Sequence, residues 1–352
     1  MKNKTSSISI IFDFPIALSE FAILDVGKSK HYFDLVHTDE LFQSYLKKHG
    51  IKVIHDLIEH CNNNQEETIS AYFSSTYLGL LQRFAKPALD RLIDCVQSGH
   101  LDIIGGTSYG SLSSLYSAAQ LEREIVDHKN TIKHIFNYSP SVFYNTENIY
   151  SNELSDILVS QGYLIAITGA IEWYLGSGYD SRVFSATTSK KLKIGLIDEH
   201  QSNALAKNRD QKEHVFQFNA KDIEAKGGLT QVLTLIREKS RIIPLAIQIG
   251  NGDLDMSYNI KAPIVASLEN RTLNSFHGNA MQTKALKRYY AMEKQVYKQS
   301  NVDLQNTYLQ LGVANYFANM ATSFEKKDRK PYEQYNNYMN VLSDLELRLN
   351  SN

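Results

Sequence analysis

The chain has 352 residues, 43% of them hydrophobic and 21% charged, which is enough for one large or two medium domains with a substantial core. Lys and Arg number 37 against 38 Asp and Glu, so the net charge is −1, and we expect neither nucleic acid nor an anionic membrane as a partner. The aromatic residues include 21 Tyr and 15 Phe but a single Trp, Trp173. Because Trp is common in sugar-binding clefts and in interfaces, this imbalance argues mildly against such a site.

Short β-branched runs alternate along the first 260 residues with longer segments of helical periodicity. This alternation predicts parallel strands covered by helices, in a barrel or a doubly wound sheet. Most of the runs are continuously apolar, as expected for a sheet buried on both faces. The predicted strands are 7–14, 69–73, 101–104, 141–144, 164–168, 192–196, 215–218 and 242–249, and the predicted helices between them include 38–60, 77–97, 117–136 and 151–161.

The pattern changes after about residue 261, where three long helical segments follow one another without strands. They span 280–298, 303–325 and 331–349, and Pro331 suits the first position of the last helix because proline has no N–H to leave unpaired there. We therefore predict an α/β domain over 1–262 and a C-terminal helical bundle over 263–352.

Motifs that mark cofactor, metal or disulfide chemistry are missing from the sequence. Cys61 and Cys95 lie in apolar periodic stretches and are expected to be buried free thiols. The spacing of the His residues fits no metal site, so we predict no metal and no cofactor. Asp13 and Pro15 interrupt the apolar run near the N-terminus, so no secretory signal and no membrane span is predicted, and a cytoplasmic location is the expectation.

The segment from Phe143 to Tyr150 is the strongest candidate for chemistry. Glu147 directly follows a predicted buried strand, and active sites of parallel α/β folds lie at the carboxyl ends of the strands. The alternative is structural, with Asn145 and Thr146 forming a turn and Glu147 capping the next helix.

This segment resembles the nucleophile region of glycoside hydrolase family 57, the α-amylase family, in which it reads F-R-N-T-E-L-I-Y. Four further segments resemble the family in order and at similar spacing: 32–34, which matches Y-F-D; 99–106, which is similar to a strand region with G-x-V-E; 121–128, which resembles a segment ending Q-V-x-x-H; and 331–342, which is close to P-Y-D-A-F-x-N-Y-M-N-V-L. The resemblance spans about residues 8 to 347.

The resemblance implies an incomplete (β/α)7 TIM-like barrel followed by a helical bundle, in agreement with the pattern of elements. It also implies an α-glucan or other carbohydrate as substrate and retaining hydrolysis or transfer with two carboxylates. Glu147 occupies the position of the nucleophile.

The partner of that nucleophile is not found. The family's acid/base Asp lies in a stretch resembling L-S-D-D-I-A-F-R-F, and Asn203 and Ala204 stand at its two Asp positions. Asn exchanges no proton at neutral pH and Ala has no group to do so. Asp198 and Glu199 are the weak candidates for a displaced acid/base.

Several other positions that would touch the sugar also depart from the family. Asp13 begins Asp-Phe-Pro where the family has H-Q-P, and Gly110 replaces the His of Y-Y-H-S. The T-E-G motif is Thr-Gly-Ala from Thr168, the S-D-H of the bundle has no counterpart in 312–316, and D-Y-E-T-F-G-E-H is not recognisable around 249–256. Residues that would build the scaffold persist, while those that would contact glucose are largely replaced.

Three hypotheses follow from this pattern. The first is a catalytically impaired family member, a pseudoenzyme that binds carbohydrate or acts through a protein partner. The second is an active α-glucan hydrolase or transglycosylase with Glu147 as nucleophile and Asp198 or Glu199 as acid. The third is an enzyme for a different sugar. Asp13, Tyr109 and Trp173 are the substrate-binding candidates, with Tyr109 the best guess for stacking and Trp173 equally suited to the core.

Overall fold

The computed structural model describes residues 4–28, 31–169, 183–197, 202, 214–252, 254–265, 273–322 and 330–351. Seven parallel strands of these residues lie side by side around a common axis. They are β1 (Thr5–Phe12), β2 (Ile69–Phe73), β3 (Leu101–Ile103), β4 (Val142–Tyr144), β5 (Ile165–Gly169), β7 (Lys193–Ile197) and β8 (His214–Asn219), with β6 (Val183–Ala186) between β5 and β7 in the chain.

Hydrogen bonding runs from β8 through β1, β2 and β3 in one sheet and from β4 through β5 to β7 in another. The two sheets are joined where the backbone N–H of Gly105 donates to Val142 O and that of Tyr144 donates to Gly105 O, both at 2.8 Å. Strands β7 and β8 are neighbours, but within the described chain β7 pairs with the antiparallel β6 and no ladder joins it to β8. The predicted incomplete (β/α)7 barrel is confirmed.

Helices surround this barrel, and the last of them packs Leu245 and Ile249 against the interior core. In chain order they are α1 (Leu35–Tyr45), α2 (Ile51–Asn63), α3 (Ser75–Phe84), α4 (Lys86–Gln97), α5 (Ser113–Tyr116), α6 (Ala118–Phe136), α7 (Asn152–Ser160), α8 (Ala220–Ile223), α9 (Leu229–Arg237) and α10 (Leu245–Gly250). Helix α1 continues through a π turn, Leu46–Gly50, into α2. Cys61 of α2 and Cys95 of α4 are buried free thiols, as predicted.

Strand β1 shows how the two faces of the barrel are filled. Side chains alternate across a strand, so Ile10 and Phe12 pack outward against the helices while Ile11 joins the barrel interior. Ile11 shares an apolar interior cluster with Val142, Ile165 and Ile197, while the other inward positions of β1 are the buried Ser7 and Ser9. The continuously apolar strands of the sequence therefore reflect burial on both faces.

The predicted strand over 242–249 is wrong. Only Arg241–Ile242 forms a short strand, β9, which pairs with the start of β1, and Leu245–Gly250 is helix α10. Pro244 explains the difference, since it cannot donate to a ladder and its fixed φ suits a helix entry. A strand that the sequence prediction did not contain, β10 (Leu254–Tyr258), extends the sheet beside β6.

The C-terminal helices form a bundle with its own core. They are α11 (Asn274–His277), α12 (Ala280–Ala291), α13 (Glu293–Lys298), α14 (Val302–Leu311), α15 (Ala314–Ala318) and α16 (Pro331–Ser351). Their core includes Phe21 and Tyr32 from the loop between β1 and α1, so that loop is packed on the bundle. The domain division at residue 262 stays a prediction, because 266–272 lie outside the described residues.

Asp344 connects the loop between β1 and α1 to the helical bundle. The carboxylate is fully buried on α16 and accepts hydrogen bonds from the Tyr32 hydroxyl at 2.5 Å, the Gly27 N–H at 2.6 Å and Arg348 Nε at 2.6 Å. Each of its neighbours would lose a partner if the carboxylate were removed. None of the described helices is long and apolar enough to cross a membrane.

We expect Asp344→Ala to lower the free energy of unfolding by about 2–4 kcal/mol, because it leaves buried donors unpaired. Urea denaturation followed by circular dichroism measures the change. Asp90→Ala is the matched control, since Asp90 pairs with Lys86 on the surface of α4 and should matter by only about 0.5 kcal/mol. Equal losses in the two variants would contradict the role given to Asp344.

Candidate active site

The site lies where the parallel strands end on one face of the barrel. Inward-facing positions of β1 and β2 continue past the last strand residue to Asp13 and Ser74, and the Ser74 hydroxyl donates to the Asp13 carboxylate. Glu147 follows β4, and Lys221 follows β8. All four strands present the residues that follow them at the same face, as parallel barrels require.

Glu147 stands on a strained turn. Its backbone has φ 53° and ψ 27°, and the next residue, Asn148, has φ 54°, so two consecutive residues with side chains are left-handed. Such a conformation costs of order 1–3 kcal/mol per residue and persists only where the surroundings fix it. Strained backbone of this kind is frequent at functional sites.

Hydrogen bonds from neighbouring strands hold the turn in this conformation. The amides of Asn148 and Gln217 of β8 are paired, with Asn148 Nδ2 donating at 2.6 Å and Gln217 Nε2 returning a bond at 3.3 Å. The Thr168 hydroxyl donates to Asn148 O at 2.9 Å, and Asn145 Nδ2 donates to Ile149 O at 2.8 Å. The turn is thus held by β5 and β8, so the Glu147 carboxylate is presented from a rigid base.

Part of Glu147 is accessible to solvent, while the protein atoms around its carboxylate partly exclude water from it. Burial of the carboxylate raises its pKa above the ordinary value, the positive charge of Lys221 opposes that rise, and the negative charge of Asp13 adds to it. The pKa of Asp13 is raised by burial and lowered by the Ser74 hydroxyl, the Phe14 backbone and Lys221. The two carboxylates and the ammonium therefore form one electrostatic group.

Two tyrosines line the base of this group. The ring centroids of Tyr72 on β2 and Tyr144 on β4 are 5.0 Å apart, and the N–H of Glu147 donates to the Tyr144 hydroxyl at 3.3 Å. Burial and the nearby carboxylates raise the pKa of both phenols well above the ordinary value, so both stay neutral hydrogen-bonding groups. The structural reading of Asn145 and Thr146 as turn formers agrees with their burial, whereas Glu147 caps no helix: Ser151 is the residue before α7.

Helix α6 supports the site from behind with two fully buried ionisable groups. His128 Nδ1 accepts from the Gly106 N–H at 3.2 Å, and Nε2 is 2.9 Å from Phe73 O, so the imidazole joins the ends of β2 and β3. Burial lowers the pKa of His128 to about 4, and the ring is neutral. Glu124 accepts from the Ser111 hydroxyl at 2.6 Å and from Gln120 Nε2 at 3.1 Å, and burial raises its pKa to about 7.

Comparison with known proteins decides the family. The model of glycosyl hydrolase family 57 matches residues 18–212, more than half of the chain. The chain belongs to glycosyl hydrolase family 57. The resemblance found in the sequence is confirmed.

Relatives and solved structures agree with that assignment. A putative α-amylase of Methanocaldococcus jannaschii is 30% identical over 167 residues, which are 46% of this chain and 35% of that protein, so this chain matches about a third of the relative's length. The GH57 branching enzyme of Thermococcus kodakaraensis has the same fold with a TM-score of 0.70 at 9% identity, over 99% of this chain and 90% of that one. The 4-α-glucanotransferase of Thermococcus litoralis gives a TM-score of 0.68 at 13% identity, over 89% of this chain and 55% of that one.

The loop after β3 also contributes to this site. Gly110 has φ +68°, and a Cβ there would lie 3.4 Å from Asp13 Oδ2, so the position where the family has His adjoins the carboxylate. The N–H of Ala314, in the bundle segment that lacks S-D-H, donates to Gly110 O at 2.9 Å. Gly110 is therefore a neighbour of Asp13, and the glycine leaves the space beside the carboxylate open.

The remaining candidates fall into two groups. Tyr109 is half-buried, packs against the bundle core and hydrogen bonds to Gln310, so its role in sugar stacking stays a prediction. Asp198, Glu199, Asn203, Ala204 and Trp173 lie outside the described residues. The sequence analysis did not predict Lys221, because it looked for the fifth family region at 249–256. In the structure, β8 pairs with β1 and ends at Asn219, two residues before Lys221.

We expect Glu147→Gly to raise the free energy of unfolding by up to about 1 kcal/mol, because glycine adopts a positive φ without strain. Thermal unfolding of the two proteins measures the difference. Glu153→Gly is the matched control: it replaces an exposed Glu in the first turn of α7, where glycine should cost about 0.5–1 kcal/mol. A loss of stability in both variants would contradict strain at Glu147.

Glu124 makes the stability of the fold depend on pH. Its pKa rises from an ordinary 4.5 to about 7 on folding, so its contribution is complete below pH 4.5 and is lost as the pH rises to about 7, by about 3 kcal/mol. We expect Glu124→Gln to remove that loss in urea titrations at pH 4.5 and 7.5. The control is Glu122→Gln on the exposed face of the same helix, which should leave the pH dependence as it is in the parent protein.

Proposed function

We propose that this family 57 chain binds α-glucan chains at the site around Glu147 and that its hydrolytic turnover is impaired. The observation that carries the proposal is Glu147 itself, held on a rigid left-handed turn at the carboxyl end of β4 and facing the charge of Lys221. A fixed, solvent-accessible carboxylate beside a cation has the properties of a nucleophile. The similar structures include a 4-α-glucanotransferase and a branching enzyme, which supports an α-glucan as ligand.

We infer the impairment from the absence of a general acid at the family's position. Retaining hydrolysis requires a second carboxyl group about 5–5.5 Å from the nucleophile, to protonate the leaving oxygen and then to activate water. The family's acid/base position carries Asn203 and Ala204, neither of which transfers a proton. Loss of general acid catalysis lowers the rate by about 10²–10⁴-fold.

Asp13 favours a second candidate function, an active retaining hydrolase or transglycosylase. It is a carboxylate of the described site that acts electrostatically on Glu147, and burial raises its pKa, which favours the protonated form that an acid needs. Asp198 and Glu199 remain the other candidates for this role. In each case Glu147 attacks the anomeric carbon and the second group protonates the leaving oxygen.

An activated substrate separates the two functions. Fluoride leaves without a proton, so α-maltotriosyl fluoride should form a glycosyl ester with Glu147 in the parent protein, detected by mass spectrometry of the peptide that contains residue 147. We expect no ester in Glu147→Gln and an unchanged ester in the control Glu153→Gln. With maltoheptaose, whose leaving group needs a proton, reducing-sugar release should be about 10²–10⁴-fold slower than with the fluoride.

Rapid release from maltoheptaose that disappears in Glu147→Gln would overturn the impairment and establish the active enzyme. Asp13→Asn then identifies the acid: loss of turnover with maltoheptaose but not with the fluoride assigns it to Asp13, and retention of both assigns it to another carboxylate. If no ester forms and maltoheptaose does not bind, the proposed function as a whole is refuted.

A further inference from the structure

Gln217 is a polar side chain on the inner face of the barrel. Its neighbours Phe216 and Phe218 belong to the core between the strands and the helices, whereas Val215 belongs to the interior cluster. Because side chains alternate across a strand, Gln217 points inward with Val215. A carboxamide there costs free energy unless it is hydrogen bonded, and replacing a hydrogen-bonded pair by apolar groups is often neutral for stability. The stability of the core therefore does not explain Gln217.

Asn148, the residue after Glu147, is the partner of this amide. Asn148 Nδ2 donates to Gln217 Oε1 at 2.6 Å, and Gln217 Nε2 donates back to Asn148 Oδ1 at 3.3 Å. Asn148 is itself buried. The family motif that this segment resembles has Leu at this position, and a leucine side chain offers Gln217 no hydrogen bond. Asn148 and Gln217 therefore belong together in this chain.

The backbone of Gln217 contacts a second segment. Its N–H donates to the hydroxyl oxygen of Ser202 at 3.2 Å, and Ser202 is buried. Ser202 follows β7 in the chain and directly precedes Asn203, the residue that we align with the acid/base of the family. One residue of β8 is thus bonded through its side chain to the turn of Glu147 and through its backbone to the segment of Ser202.

We infer that Gln217 is a positioning residue, which holds the Glu147 carboxylate in place relative to the segment of Ser202. The inference rests on the proposed function, because that position matters for the attack of Glu147 on a bound glucan. Glu147 and Asn148 are the left-handed part of the turn, so a rotation of Asn148 away from Gln217 moves the carboxylate beside it. Displacement of a reacting group by about 1 Å costs about 10²-fold in rate.

The amide does this without changing the charges of the site. Gln217 is neutral, and the pKa of Glu147 is shifted by burial, by Lys221 and by Asp13. Loss of the amide therefore misplaces the carboxylate but leaves its ionisation as it is. A positioning role predicts a lower rate with an unchanged pH profile, whereas an electrostatic role would move the profile.

Formation of the glycosyl ester from α-maltotriosyl fluoride tests the inference in the full chain. Glu147 attacks C1, the C–F bond breaks and fluoride leaves with the bonding electrons, so the step needs no proton from another residue. In Gln217→Leu we expect the limiting rate, measured by mass spectrometry, to fall at least about 10-fold. The half-saturating concentration of the fluoride substrate and the midpoint of the pH profile should stay as in the parent protein. Gln231→Leu, which removes an exposed amide on α9, is the matched control and should leave all three quantities unchanged.

Two further measurements separate positioning from folding. Gln217→Glu keeps the acceptor for Asn148 Nδ2 and should recover most of the lost rate, with the pH midpoint moved upward by the added negative charge. Amide hydrogen exchange, followed by NMR, reports on the turn without a substrate. The Asn148 N–H donates to Asn145 O at 2.9 Å, and its exchange should be faster in Gln217→Leu and unchanged in Gln231→Leu. If Gln217→Leu does not fold, Asn148→Leu takes its place, since it removes the same pair with the residue of the family motif.

The inference and the proposed function fail separately. If the parent protein forms the ester and Gln217→Leu forms it equally fast, the inference is refuted and the proposed function stands. A weaker half-saturation with an unchanged limiting rate also overturns the inference, because it assigns Gln217 to sugar binding. If the parent protein forms no ester and binds no maltoheptaose, the proposed function is refuted and hydrogen exchange decides the inference. Faster exchange of the Asn148 N–H in Gln217→Leu then supports the positioning of the turn, and unchanged exchange refutes it.

Discussion

The buried hydrogen bonds of α6 are the constraint on which the active face of this barrel depends. His128 joins the ends of β2 and β3, and Glu124 holds the Ser111 hydroxyl in the loop after β3. Through Gln120 and the Tyr289 hydroxyl the same helix reaches the bundle. Since β1 and β4 take their places beside these strands, one helix sets where Asp13 and Glu147 stand relative to each other.

Scaffold and chemistry are separable in this chain. His128 matches the end of the family segment Q-V-x-x-H, yet its two nitrogens are used by backbone groups and its pKa of about 4 keeps it neutral, so it persists for structural reasons. Gly110, beside Asp13, has no side chain that could contact a ligand. Glu147 differs from both, because at a φ of 53° a glutamate is strained and does not stabilise the fold. The turn therefore presents a carboxylate at a position where glycine would be less strained.

The sequence predicts the seven barrel strands well because each is a short β-branched run whose burial on both faces removes polar residues. It fails at 242–249, where Pro244 converts an equally apolar run into a helix, and composition alone does not separate the two. Glu147 is found from its position after a strand and from the family motif. Lys221 is not predicted, because it reaches the site through the pairing of β8 with β1. The paired residues are more than 200 positions apart in the sequence, and no local pattern shows such a contact.

The positive charge of Lys221 bears on whether Asp13 can act as the general acid. A cation that acts on both Asp13 and Glu147 stabilises their charged forms, which suits a nucleophile and opposes a general acid. Burial raises the pKa of Asp13, and the Ser74 hydroxyl, the Phe14 backbone and Lys221 all lower it. The electrostatics of the described site thus favour two anions around one cation. Such an arrangement attacks or binds a sugar more readily than it protonates a leaving group, which agrees with the proposed impairment of hydrolysis.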